Sequence, residues 1–146
     1  MPSLHDTANR SQLVTRVQAL RPDAERRWGT MTVDQMLWHV SDALALSLGE
    51  ISIPPEKAPM PRWLLKFIVL NLPWGKGAPT HPAFVAKRSY DFHAEHSRCL
   101  RLIDATARMD LNAAWPTHPV YGPITGRQVS RLMAKHLNHH LTQFGV

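Results

Sequence analysis

Apolar residues recur along this chain at helical rather than strand spacing. Leu13, Val17 and Leu20 stand at i, i+4 and i+7, which predicts a helix over Thr7 to Leu20, ended by Pro22. Val33, Met36, Leu37, Val40, Leu44 and Leu48 keep one face of a second helix apolar. Thr32 and Gln35 form a capping-box pair at its start, Met31 and Met36 sit as a hydrophobic staple, and Gly49 marks its stop. Val85, Phe92, Cys99, Leu100 and Ile103 share a face with His96 in a third helix, expected from about Pro82 to Met109. A fourth helix repeats the grammar of the second. Thr125 and Gln128 pair as its capping box, Ile124 and Val129 as its staple, Met133, Leu137 and Phe144 continue its stripe, and Gly145 ends it.

The prolines separate these helices. Seven of the twelve fall between residues 54 and 82, and three between 116 and 123. Proline inside a helix removes a hydrogen bond and clashes with the preceding turn, so both stretches are connections. Within the first, the apolar piece Arg62 to Leu72 predicts a short extra helix. The expected fold class is therefore all-α: a four-helix bundle with a long crossover between its second and third helices, carrying that short helix. A chain of 146 residues fits one domain over 1–146.

Composition narrows the function classes. The chain is 44% hydrophobic and 19% charged, enough apolar material for a core. Its one cysteine, Cys99, excludes an internal disulfide. The first twenty residues hold no continuous apolar run, and the longest apolar cluster, Trp63–Leu72, has about half the length of a spanning helix. A cytoplasmic protein without a membrane partner is the expectation, with Trp63–Leu72 covering a site mouth or forming a homodimer interface. The formal net charge of +6 raises nucleic acid as a partner. The basic residues are dispersed, however. Arg21, Arg26 and Arg27 form one tight group, and Arg127, Arg131 and Lys135 a one-sided helical row. A solvated surface is the better reading, and nucleic acid is not expected.

Nine histidines are the unusual entry in this composition. His136 and His140 are spaced i, i+4, on one helix face about a turn apart, in the middle of the apolar stripe of Val129, Met133 and Phe144. A buried ring nitrogen left unpaired costs about 1–3 kcal/mol, and one metal ion satisfies both rings. His39, inside the apolar arc of the second helix, is the natural third ligand. At 1.5 Å per residue, His39 lies about 10 Å from the start of its helix, and His140 and His136 about 7 and 13 Å from the end of theirs. The three rings meet at one depth only if these helices run antiparallel, which requires the long crossover to carry the chain back along the bundle. His139 lies at the edge of the stripe, as a supporting or exposed residue. His96 and His93 are pocket or structural candidates on the third helix. His5, His81 and His118 fall in terminal or loop segments and read as solvated. Gln143, one turn beyond His139 and His140, is placed to orient a ligand.

The same residues carry a family resemblance. The run Trp28-Gly29-Thr30-Met31-Thr32-Val33-Asp34-Gln35-Met36-Leu37-Trp38-His39 resembles the opening of the second helix in the DinB/YfiT-like superfamily, in an uncharacterised domain-of-unknown-function branch. The ending, Tyr121-Gly122-Pro123-Ile124-Thr125-Gly126 followed by His136 to Gly145, is similar to that branch too. The resemblance spans nearly the whole chain and is weakest over 50–82. It implies an up-down-down-up four-helix bundle and a divalent metal held by His39, His136 and His140. The superfamily includes S-transferases that use low-molecular-weight thiols and a mycothiol-dependent isomerase.

Three neutral imidazoles leave a metal its full charge and an open position for water or a small-molecule substrate. Two chemistries follow: activation of bound water, or binding of a thiol as its thiolate. Imidazole suits Zn or Ni first, with Fe, Cu or Mn as further candidates. No carboxylate stands where it would serve as general base, since Asp91 and Glu95 lie off the inward stripe of the third helix. The expectation is a metalloenzyme of the S-transferase or hydrolase type. The alternative is a non-catalytic, metal-stabilised binding or stress-response protein.

Overall fold

A computed structural model describes residues 2–146. Five α-helices follow one another: α1 (Thr7–Ala19), α2 (Val33–Leu48), α3 (Arg62–Asn71), α4 (Phe92–Arg108) and α5 (Gly126–Gln143), with one 3-10 turn at Pro82–Phe84. Among the described residues there is no β-strand, only an isolated antiparallel bridge between His118 and Gly122. Among the described residues no helix is long and apolar enough to cross a membrane.

Four of the five helices begin at a side chain suited to cap the first turn, and α3 follows Pro61 with no side-chain cap. Asp6 caps α1 by accepting from Asn9 N–H at 2.7 Å. At α2, Thr32 N–H donates to the Gln35 side chain at 3.0 Å, and the Thr32 hydroxyl donates to Asp34 at 2.6 Å. Both halves of the box form at α5: Thr125 accepts from Gln128 N–H at 3.3 Å, and Gln128 accepts from Thr125 N–H at 3.0 Å. Gly49 closes α2 with φ +76°.

The third expected helix is shorter than its periodicity suggested. Residues Pro82–Phe84 form a separate turn, and α4 does not begin until Phe92. Asp91 is the reason, since its carboxylate caps α4 through Ala94 N–H at 2.7 Å. The preceding Tyr90 N–H is taken by the Asp34 carboxylate at 2.8 Å, which pins that residue to the start of α2.

The core lies where the four long helices meet. Val17 of α1, Leu37 and Leu44 of α2, Cys99, Leu102 and Ile103 of α4, and Leu137 and Leu141 of α5 are all essentially sealed from solvent. Each such aliphatic side chain contributes about 1.5–3 kcal/mol by leaving water. α2 packs most extensively on α4. The pair is also tied by Gln35 to the Arg88 carbonyl at 3.0 Å, Asp42 to Arg98 at 2.7 Å, and Glu50 to Arg101 at 3.1 Å. Leu4 N–H donates to the Ser130 carbonyl at 3.2 Å near the start of α5, and Arg16 donates to Asn138 and Thr142 near its end at 2.7 and 3.1 Å. α1 meets α4 with the ring of His5 on the Met109 carbonyl and that of His96 on the Val17 carbonyl, at 2.8 and 2.9 Å.

α3 sits outside this arrangement, against α5. Only its Leu70 is buried, while Trp63 and Phe67 stand in solvent. Its last turn is bolted down by Lys135 of α5, whose ammonium donates to the carbonyls of Val69 (2.7 Å) and Leu72. The Trp63–Leu72 piece thus packs by one edge only.

Gly126, the first residue of α5, has no room for a side chain. A Cβ there would stand 2.6 Å from the Leu111 carbonyl oxygen and 2.9 Å from Leu111 Cα, both backbone atoms. Gly126→Ala should therefore destabilise the fold by about 1–3 kcal/mol through overpacking, despite alanine's better helix propensity. Urea denaturation beside the parent protein measures this.

Candidate metal centre

α2 and α5 place three imidazoles together. The ligand-capable atoms of His39, His136 and His140 all lie within 4.8 Å of one another. The ring centroids are 4.8 Å apart for His39 and His136, 4.7 Å for His39 and His140, and 4.8 Å for His136 and His140. His39 and His140 are buried and His136 is half-buried. Among the described residues the group holds imidazoles only.

Two hydrogen bonds decide which nitrogens face inward. His39 Nδ1 lies 2.9 Å from the carbonyl oxygen of Phe84, which can only accept. Nδ1 therefore carries the proton, and Nε2 offers its lone pair. His140 Nδ1 lies 2.8 Å from Gln143 Oε1. The Gln143 amide is itself oriented, because its Nε2 donates to the Trp28 carbonyl at 2.9 Å. Oε1 thus accepts from His140 Nδ1–H, and His140 Nε2 is bare as well. Gly29, at φ +79°, makes this possible, since a Cβ there would stand 2.7 Å from Gln143 Nε2. His136 Nε2 lies 2.9 Å from His39 Nε2.

Electrostatics keep the rings neutral. Burial, the largest cause, lowers the pKa of His39 below its ordinary value. Burial and then the neighbouring imidazoles His140, His39 and His139 push His136 well down. Burial followed by His39 brings His140 to about 3, with the Gln143 bond opposing. Neutral imidazole is the form that ligates a cation. Two buried rings with bare Nε2 atoms, beside a third, half-buried imidazole whose Nε2 lies against that of His39, fit a divalent ion by their donor chemistry.

A wall of rings and cations stands beside the three. His139, half-buried, lies 5.7 Å from Trp28 and 5.6 Å from Trp74, and Trp74 lies 5.7 Å from His136. Lys76 is placed 5.0 Å over Trp28, and Lys135 5.3 Å over Trp74. His139 is thus a wall residue beside the trio. Gln143 is a support for His140, on the turn where the sequence placed it.

The structure does not bring His96 and His93 to this cluster. His96 bonds the Val17 carbonyl at 2.9 Å and stacks on Phe92, while His93 is exposed on α4. Three histidines expected to be solvated are not free. His5 bonds Ser130 Oγ at 2.8 Å and the Met109 carbonyl. His81 accepts from Ala83 N–H at 3.0 Å. His118 accepts from the N–H groups of Val120 and Tyr121 at 3.1 and 3.2 Å. In each case the ring satisfies nearby polar groups of a loop or terminus. The Phe84 and Trp28 carbonyls escape sequence reasoning, because a backbone acceptor carries no residue signature. Trp74, in the Pro73-Trp74-Gly75 break, was legible only as a turn.

Residues 3–145 match the profile of a family described as a protein of unknown function, DUF1569. The chain belongs to the DUF1569 family. No curated protein and no solved structure matches it. Both helices that supply the clustered histidines of this DUF1569 chain, α2 and α5, and the crossover that joins the cluster at Phe84 and Trp74, fall inside the matched span.

The histidines also set an acid limit. Burial, then the nearby His81, lowers the His118 pKa from 6.5 to about 4. Between those values the unfolded chain takes up a proton that the folded chain refuses, so this contribution is complete above about pH 6.5 and is lost as pH falls toward 4. Its size is at most about 3 kcal/mol. The lowered pKa values of His39, His136 and His140 act in the same direction. Urea midpoints of metal-free protein should fall across that window. His118→Asn, which keeps an acceptor but cannot titrate, should show a shallower fall.

Proposed function

We propose that this DUF1569 chain is a single DinB-like four-helix-bundle domain over 1–146 that binds one divalent metal through His39, His136 and His140. On this reading it acts as a metal-dependent transferase on a thiol substrate. The observation that carries the proposal is the tautomer lock: Phe84 and Gln143 occupy the outer nitrogens of His39 and His140, turning both Nε2 lone pairs toward His136. Histidine ligands are commonly held in this way by carbonyl or amide partners.

The bundle order inferred is up-down-down-up, with α3 in the crossover. Its support lies in the pairwise contacts. Asp34 and Asp42 of α2, and Glu50 just past its end, meet Tyr90, Arg98 and Arg101 in ascending order. Leu4 and Arg16 likewise meet Ser130 and Thr142 in ascending order. His5 and Val17 meet Met109 and His96 in descending order. The segment before α2 meets the end of α5, through Arg27 N–H on the Gln143 carbonyl at 2.7 Å.

A bound divalent ion would supply Lewis acidity, favouring a thiolate or a hydroxide at neutral pH. The chain's own residues favour the thiol. Hydrolysis calls for a positioned base, and the cluster contains no carboxylate. A thiol, which ionises far more readily than water, would need none. Half-buried His136 stands beside Trp74 and its neighbour His139, and Lys76 and Lys135 over Trp28 and Trp74 add positive charge suited to an anionic substrate. Zn and Ni are the first candidates for the ion, with Fe, Cu and Mn behind them.

Elemental analysis of purified protein tests the site. The parent should carry a stoichiometric divalent metal, and the His136→Ala/His140→Ala double variant should carry almost none. Equal metal in both would remove the proposal. Melting shifts with several small thiols test the substrate class, and no response to any of them counts against the transferase.

Gln143→Leu should weaken metal affinity by about 10- to 100-fold, because His140 loses the acceptor that fixes its tautomer. Competition with a chromophoric chelator reads this directly. Gln143→Glu, which keeps an acceptor for His140 Nδ1–H, should retain more of the affinity.

A further inference from the structure

The net charge of this protein has one address. Between Lys57 and Tyr90 stand Lys57, Arg62, Lys66, Lys76, Lys87 and Arg88, with no Asp or Glu. The chain as a whole has 17 basic and 11 acidic residues. Outside this segment the two are therefore equal, 11 against 11, so residues 57–90 carry a charge equal to the formal +6; Glu50, Glu56 and Asp91 flank them in the crossover.

The same segment holds the large apolar side chains that remain in water. Trp63 is 69% exposed, Phe67 55%, Val85 50% and Leu72 47%. Trp63 and Phe67 are spaced i, i+4 on α3, hence neighbours on one helix edge. Arg62 and Lys66 alternate with them, and Lys57 precedes them. α3 is held from the other side, through Leu70 and the Lys135 bonds to its last turn. The helix is thus fixed with its Trp-Phe edge outward.

We propose that the α3 edge docks on an anionic lipid surface, with Trp63 and Phe67 entering the headgroup–acyl boundary and the exposed Lys57 and Arg62 facing the lipid phosphates, while the Lys66 ammonium stays on the Pro123 carbonyl at 2.6 Å. Charge complementarity chooses the occupant. A second copy of this chain would bring +6 against +6 in a symmetric pairing. An anionic surface reverses that sign, and each juxtamembrane Lys or Arg adds attraction within a Debye length. Nucleic acid would also meet the charge, but Leu72 and Val85 have no base to stack on and gain only by leaving water. A basic helix edge presenting Trp and Phe is the composition that settles at an interface without spanning it. This concerns surface attachment, and agrees with the lack, among the described residues, of any helix able to cross a bilayer. It does not depend on the metal.

The test is flotation of the full chain with vesicles of phosphatidylcholine alone, or of phosphatidylcholine with about one third phosphatidylglycerol. The expected result is binding to the anionic vesicles only, weakened by high salt. Lys57→Gln/Arg62→Gln should weaken it about thirtyfold. Trp63→Ala/Phe67→Ala should abolish it while every charge remains. Both sets lie on exposed or part-exposed positions, and unchanged melting would confirm intact folds. No binding to anionic vesicles overturns the proposal. So does binding that survives Trp63→Ala/Phe67→Ala, which would leave only general charge attraction. A dimer of the parent that this double variant converts to monomer assigns the edge to a second copy instead. Retention on duplex or single-stranded DNA that the same variant abolishes, without vesicle binding, assigns it to nucleic acid.

Discussion

Two acceptors outside the histidine cluster govern what lies inside it. A neutral imidazole has one donor and one acceptor, and which nitrogen is which depends on its surroundings. The Phe84 carbonyl fixes this for His39, and the Gln143 amide for His140. Gln143 is itself fixed by the Trp28 carbonyl. The constraint therefore runs from the loop before α2, through a side chain of α5, to a ring in the core. Removing any link leaves the histidines present but their lone pairs undirected. Burial completes the arrangement by keeping the rings neutral, at the cost of sensitivity to acid.

The crossover does more than connect. It supplies Phe84 to one ring and Trp74 to the wall, and through Val69 and Leu72 it accepts the Lys135 ammonium one residue before His136. A segment dense in proline is well suited to this. Proline restricts the unfolded chain and lowers the entropy lost on ordering it, so a long connection can hold a defined path with few contacts. The carbonyl that His39 needs is delivered by a 3-10 turn whose first residue is Pro82.

Sequence reading found the parts of the fold that local chemistry dictates. Both capping boxes and the αL stop at Gly49 were legible, because they depend on residues within one turn of each other. The three clustered histidines were legible for a related reason: i, i+4 spacing and a depth count along two helices need no side-chain detail. Gln143 followed from the same periodicity. What stayed hidden is tertiary. Asp91 caps α4, while Val85 shares the helical stripe of Phe92 and Ile103, so periodicity predicts a start at Pro82, ten residues or nearly three turns too early. His118 looked like a loop residue open to water, and its role came from the backbone turning back on its own ring. The Phe84 carbonyl had no signature at all.

The chain keeps its only sulfhydryl out of reach. Cys99 faces inward from α4 among the sealed core side chains, and burial raises its thiol to about 12. It stays protonated at any physiological pH and is inert to alkylation and oxidation in the native state. Sulfur chemistry at the histidine cluster must therefore use sulfur brought in from outside. A cysteine engineered onto the surface would be the sole reactive handle, so a single fluorophore or spin label could be attached without first removing the native residue.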